Sequence, residues 1–406
     1  MSKSLCIQCK GKGLCGRPLC PILEKFRSAE NTATSISSDG SIFGASPPAV
    51  FVGRYGYPQV KAGPMIPPQV DSKDAMALED PKHWLSMDIR DIISARCQLV
   101  RANTTMDVKN ANRPDKLLEK SQELALSKSP IDTEAWFTKP LKQDLKFDSV
   151  LTPMGPSGTM TDFDIAENPK VPKKVDHLAY DTDALAKDAV CELFKGDIPT
   201  EHITRLLSIG LLGQERKLVP TRWAITATDD MVGKDITDRV IDLPLISEIS
   251  VFSGGCFGNY FEILMTPRRY SYELLEIWMK SSVWSGDSSW IGQDMEDING
   301  KKGYSNLAGG YYAARIAALE HLEKIQRQAS VFMIREITPE YWAPLGVWVV
   351  REAARNALSS IPRTFETIEE ALDDMATRVR TPSEQWKAKA KMLSDIRFQR
   401  TLDSFF

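Results

Sequence analysis

Two alternating stretches, Ile246–Phe252 and Asn259–Met265, flank the run Ser253-Gly254-Gly255-Cys256-Phe257-Gly258. Apolar and polar residues that alternate give a strand one apolar face. A glycine-rich connection between two such stretches predicts a β-hairpin. A lone hairpin is barely stable in water, so other elements must cover this one. The rest of the chain offers mostly helical stripes. Apolar spacing predicts helices over 115–127, 181–195, 200–212, 308–328, 348–358, 367–378 and 384–397, and an apolar strand over 330–335. Together these patterns define a mixed α/β (α+β) globular body, over 46–380, with a C-terminal helix over 381–398. At 406 residues, 42% apolar and 26% charged, the chain has material for a sizeable core.

Other stretches carry further expectations. Pro81 opens an apolar stripe through Leu85, Ile89, Ile92, Ile93, Leu99 and Val100, which predicts one helix over 81–101. Residues 129–174 are broken by prolines and read as irregular, with a turn at Met154-Gly155-Pro156-Ser157-Gly158. Ala49–Val52 read as a short strand followed by a turn, Gly53–Pro58. In that turn Arg54 lies between two glycines and beside Tyr55 and Tyr57, an arrangement that presents a cation and rings to a nucleotide or strand. A rigid turn with surface aromatics is the simpler reading. Arg222 and Trp223 are expected to enter a short strand, with Asp229 and Asp230 where it ends.

Four of the seven cysteines, Cys6, Cys9, Cys15 and Cys20, fall in a C-x2-C-x5-C-x4-C pattern. Four converging thiolates suit a tetrahedral metal, and so short a stretch needs the metal to fold. Residues 1–27 therefore read as a small zinc module. An iron–sulfur cluster is the alternative, because Cys20-Pro21 resembles the end of ferredoxin cluster motifs. Residues 1–30 hold six cations against two acids, enough for a modest contact with DNA phosphate. Residues 28–45, rich in Ser, Thr, Asn and Gly, read as a linker.

A formal net charge of −3 argues against a general polyanion binder, so contact with nucleic acid requires a local patch. No apolar run reaches the roughly 18 residues of a membrane span, and no signal core opens the chain. An intracellular, cytoplasmic setting is therefore expected, in which the seven cysteines serve as thiols or metal ligands rather than disulfides. Phosphate-loop, serine-nucleophile and HExxH patterns are absent, and the four histidines are dispersed. Cys256 lacks a nearby base in sequence and reads as a small turn residue.

The acids give the best catalytic case. Asp229, Asp230, Glu248 and Glu262 converging at one end of a sheet would hold Mg²⁺ for phosphodiester hydrolysis. Arg54, Arg222, Arg268 or Arg269 would then face phosphate. The plainer alternative has the aspartates capping a turn and the glutamates paired with arginines. A nucleotide pocket of Arg54, Arg222 and the loop containing Gly254 and Gly255 is a third reading.

The last eight residues place Gln399, Leu402, Phe405 and Phe406 on one face of a tight turn, three apolar anchors beside an amide. This Gln-x-x-Leu-x-x-Phe-Phe pattern is similar to the PIP box, the flexible peptide that binds the DNA sliding clamp PCNA. With the four-cysteine module and the segment Pro220–Asp230, the chain resembles the Nre family of archaeal DNA repair proteins. That resemblance implies repair of damaged DNA, zinc on the four cysteines, and recruitment by PCNA. It leaves open whether the body cuts, modifies or only binds DNA. The alternatives are a metal-dependent nuclease or nucleotide-processing enzyme and a non-catalytic adaptor.

Overall fold

The computed structural model describes residues 19–33, 40–139, 141, 154–283, 285 and 288–398. The chain divides into two units, Leu19–Val232 and Gly233 onward. Each contains a six-stranded mixed sheet, which bears out the mixed α/β class.

The first unit opens with α1 (Pro21–Ala33), β1 (Ser41–Ser46), β2 (Val50–Val52) and β3 (Gln59–Ile66). Then come α2 (Ser72–Ala75), α3 (Pro81–Trp84), α4 (Ile89–Gln98), β4 (Val100–Asp107), α5 (Lys116–Leu126), β5 (Ile131–Phe137) and β6 (Ser157–Ile165). Helices α6 (Lys173–Tyr180), α7 (Ala186–Lys195), α8 (Thr200–Ser208) and α9 (Thr221–Val240) follow, and the division between the units falls within α9. The sheet order is β1-β5-β6-β4-β3-β2, with only the β4–β6 pairing parallel. Ile42, Ile66, Val100, Leu124, Ile131 and Phe163 share one buried cluster, which seats α5 on the sheet. Ala95 and Leu99 pack with Ala49 and Met65 in another.

Four expectations change here. The helix expected over 81–101 breaks after Trp84. Asp88 is extended and its carboxylate accepts from Asp91 N at 2.8 Å, which starts α4 afresh. Leu99 then turns extended, and Val100 begins β4 rather than ending a helix. The stretch 129–174 contains β5 and β6. Its prolines lie outside both strands, while Ile131, Thr133 and Ala135 alternate into the core. The ends of the expected linker, 28–45, belong to α1 and β1. Finally, the strand expected around Arg222 and Trp223 is the start of α9. Ala224, Thr228, Val232, Ile236 and Val240 are all buried at four-residue spacing, and this periodicity overrides the β propensity of the threonines.

The second unit contains β7 (Ile249–Cys256), β8 (Asn259–Thr266), β9 (Ser271–Trp278) and β10 (Trp290–Glu296). After them come α10 (Gly309–Lys324), β11 (Ser330–Ile337), α11 (Trp348–Leu358), β12 (Arg363–Phe365), α12 (Ile368–Ala376), α13 (Ser383–Lys387) and α14 (Lys391–Phe398). The order is β10-β9-β11-β8-β7-β12, with β9 and β11 parallel. The expected hairpin is β7–β8. Its turn is only Phe257 and Gly258, both at positive φ, and the preceding glycines belong to β7.

One face of this sheet buries Val251, Leu264, Leu275 and Phe332 against Leu372 of α12, Trp386 of α13 and Leu393 of α14. The terminal helix expected over 384–397 is thus two helices, interrupted at Ala388–Ala390. The interruption has a partner in the sheet. The buried Glu273 carboxylate accepts from Lys391 N and Met392 N, each at 2.8 Å, and from Gln293 Nε2 at 2.7 Å. A carboxylate at a helix start satisfies orphan N–H groups and complements the helix dipole. One strand away, Glu336 accepts from Arg380 N and Thr381 N in the connection that precedes α13.

Candidate functional site

In the first unit two separated motifs meet. The turn after β2 is closed by Gln59 N donating to Gly56 O at 3.0 Å. Gly56 sits at φ +84°, and a Cβ there would lie 2.8 Å from Gln59 O, so the turn demands glycine. Val52 N donates to Thr221 Oγ1 at 2.9 Å, and Thr221 lies 3.1 Å from Ser208 Oγ. Ser208 donates to Val219 O, leaving Thr221 to donate to Ser208. The start of α9 is thereby pinned to the end of β2.

This join brings the Tyr57 ring to 5.3 Å from the Trp223 ring, tilted by 50°. Both rings are about half exposed, and Tyr55 is 74% exposed. The Arg54 guanidinium lies 5.1 Å from the Tyr55 ring centroid. Arg54 and Arg222 are both exposed. Lys217, paired with Glu215 at 2.7 Å, stands within electrostatic reach of Tyr57. Such a surface joins cations to ring faces. The sequence reading named Arg54 and Arg222 but treated Trp223 as part of a strand, and it placed no ring from α9 beside the turn.

The acids are arranged differently from a metal centre. Asp229 is buried on α9, and Asp230 follows it on the same helix. In the second unit, Arg378 Nε and Nη2 each donate to a different oxygen of Glu262 at 2.9 Å. Ser253 Oγ donates to the same carboxylate at 2.8 Å. Arg363 Nε and Arg378 Nη1 each donate to Asp374 at 3.0 Å, closing a network of two arginines and two carboxylates. The Arg378 side chain, followed by burial and then Arg363, sets the balance that holds the Asp374 carboxyl below its ordinary range. A bidentate arginine is a strong partner for a carboxylate and leaves it little capacity for a cation. Among the described residues, no group of three or more His, Cys, Asp or Glu side chains is placed to hold a metal ion.

Glu248 is exposed just before β7 and borders a cavity of about 350 Å³ with Phe252, His321, Leu358, Ser360 and Thr364. Burial, reinforced by Lys324, lowers the His321 pKa, and its ring meets Phe252 edge-on at 4.9 Å. Arg268 and Arg269 lie in the β8–β9 connection. Gly254 has a packing role. A Cβ there would lie 2.8 Å from Ala357 Cα of α11. Gly255 N donates to Asn356 Oδ1 at 3.0 Å, so that N–H already has an acceptor on the same helix. Burial, with Glu352 nearby, pushes the Cys256 thiol up to about 12, which keeps it protonated and poorly nucleophilic. Cys20 is half-buried and immediately precedes α1. Cys6, Cys9 and Cys15 lie outside the described residues, as do Gln399, Leu402, Phe405 and Phe406.

These features define a two-unit α/β protein with an exposed basic and aromatic surface in its first unit. The family model "Archaeal Nre, N-terminal" matches residues 14–285, and "Archaeal Nre, C-terminal" matches residues 296–405. The chain belongs to the archaeal Nre family. It is 41% identical over 403 residues to DNA repair protein NreA of Archaeoglobus fulgidus, spanning 99% of this chain and 98% of that one. DNA repair protein NreB of the same organism is 36% identical over 402 residues, with 98% and 99% of the two chains covered. DNA repair protein NreA of Haloferax volcanii is 33% identical over 386 residues, covering 92% of each. No solved structure matches the chain.

Proposed function

We propose that this protein is a DNA repair factor that acts inside the cell on damaged DNA and is brought there by the sliding clamp PCNA. Similarity to relatives named DNA repair proteins along nearly the whole of both chains carries the repair reading. Recruitment is supported by the tail, in which Gln399, Leu402, Phe405 and Phe406 fill every position of a clamp-binding peptide. Burial of adjacent aromatic anchors in one pocket concentrates binding energy in a few side chains. Changing both Phe405 and Phe406 to alanine is therefore expected to abolish binding to PCNA in calorimetric titration. Unchanged affinity would remove the clamp from the proposal.

Cys6, Cys9, Cys15 and Cys20 supply the donor set of a structural zinc site, soft thiolates in number and spacing suited to a tetrahedral ion. Elemental analysis of the purified chain is expected to give about one zinc per molecule. A brown sample containing iron and labile sulfide would instead identify a cluster.

A further inference from the structure

We propose that Tyr55, Tyr57 and Trp223, flanked by Arg54 and Arg222, form a stacking platform for single-stranded nucleic acid. The proposal rests on the reading of the protein as a DNA repair factor and adds the site and the form of the ligand. The rings come from two segments held together by the Val52–Thr221 and Thr221–Ser208 hydrogen bonds, so their placement precedes binding. Tyr57 and Trp223 touch at a tilt of 50° and retain exposed area, so neither ring is consumed by the other.

The ligand class follows from what the surface offers. Every base has an apolar π face, and an exposed aromatic ring is a sequence-tolerant partner for it. In a duplex those faces are already stacked on neighbouring bases, whereas a single strand leaves them available. Arg54 and Arg222 supply charge for the sugar–phosphate backbone. Lys61, exposed on β3, adds a further cation beyond the turn. Two neighbouring carboxylates are engaged, Glu215 with Lys217 and Asp107 with Gln59 Nε2 at 2.9 Å. Rings combined with exposed arginines fit a polyanion with π faces better than they fit an apolar peptide.

The test uses the full-length protein and a fluorescently labelled oligothymidylate, read by anisotropy at low salt. Trp223→Ala and Tyr57→Ala are each expected to weaken binding roughly tenfold, the scale of losing one stacked base. Trp223→Phe and Tyr57→Phe, which keep a ring, are expected to recover most of that loss. Arg54→Ala with Arg222→Ala is expected to reduce the slope of log affinity against log salt by roughly 1.4, two single-strand phosphate contacts. Equal binding by wild type and the Tyr57→Ala, Trp223→Ala double variant would overturn the platform. So would equally effective competition by a duplex of the same length, or binding of a peptide partner at this surface with no oligonucleotide binding. PCNA binding is measured on the same samples. Retained PCNA binding with an unchanged oligonucleotide affinity in the double variant would remove the platform and leave the repair reading intact. Lost PCNA binding in the Phe405→Ala, Phe406→Ala variant, with the oligonucleotide still bound, supports both.

Discussion

His202 is held in α8 as a buried neutral imidazole. Burial, with Arg205 nearby, lowers its pKa to about 2, against an ordinary value of 6.5. The unfolded chain gains a proton near pH 6.5 that the folded chain refuses. Stability is therefore full above that pH and falls as pH drops through the window between 6.5 and 2. The expected slope is about 1.4 kcal/mol per pH unit for one proton. Urea unfolding of His202→Gln at pH 7 and pH 5 should show a smaller loss on acidification than wild type; equal losses would place the titrating group elsewhere. Arg378 offers a second test at this scale. Arg378→Ala leaves Glu262, 7% exposed, without its bidentate partner. The expected cost is about 2–3 kcal/mol, because the buried carboxylate keeps, among the described residues, only Ser253 Oγ and Arg363 Nη2, the latter at 3.6 Å. Adding Glu262→Gln should recover part of that loss in thermal melts; no recovery would show that Arg378 acts through packing alone.

At the scale of elements, Glu273 joins β9 to the start of α14. Glu273→Ala removes the acceptor for Lys391 N, Met392 N and Gln293 Nε2 together. A loss of about 2–3 kcal/mol is expected from leaving buried donors unpaired. Hydrogen exchange should locate the early opening in α13 and α14; uniform destabilisation would deny the carboxylate its local role. The hairpin was legible because alternation and the glycine-rich run Ser253–Gly258 pointed the same way, although most of that run belongs to β7. α9 was misread because its threonines and isoleucines have strand propensity, although Ala224, Thr228, Val232 and Ile236 already kept helical spacing. β5 and β6 were hidden among prolines that flank them. The interruption before α14 was invisible because its cause, Glu273, is a distant residue on another element. The candidate surface was half legible: Arg54 and its tyrosines stood out, but their meeting with Trp223 depends on a contact across 169 positions.

Across the whole molecule, the proposed tail contact and the proposed platform lie on one chain, and this makes a further prediction. If both engage primed DNA loaded with PCNA, the second contact becomes intramolecular and its effective concentration replaces the bulk concentration. Affinity for the loaded complex is expected to exceed that for PCNA alone or oligonucleotide alone by at least about tenfold, a conservative value for linked sites. Losing the tail through Phe405→Ala with Phe406→Ala, or the platform through Tyr57→Ala with Trp223→Ala, should each abolish that gain. The four substitutions together should do little further harm to the gain, since linkage is already lost. The binding curves to make this comparison are wild type and the three variants against PCNA, oligonucleotide and their loaded complex at one salt concentration. A loaded complex that binds no more tightly than its better component would show that the two contacts do not act at once.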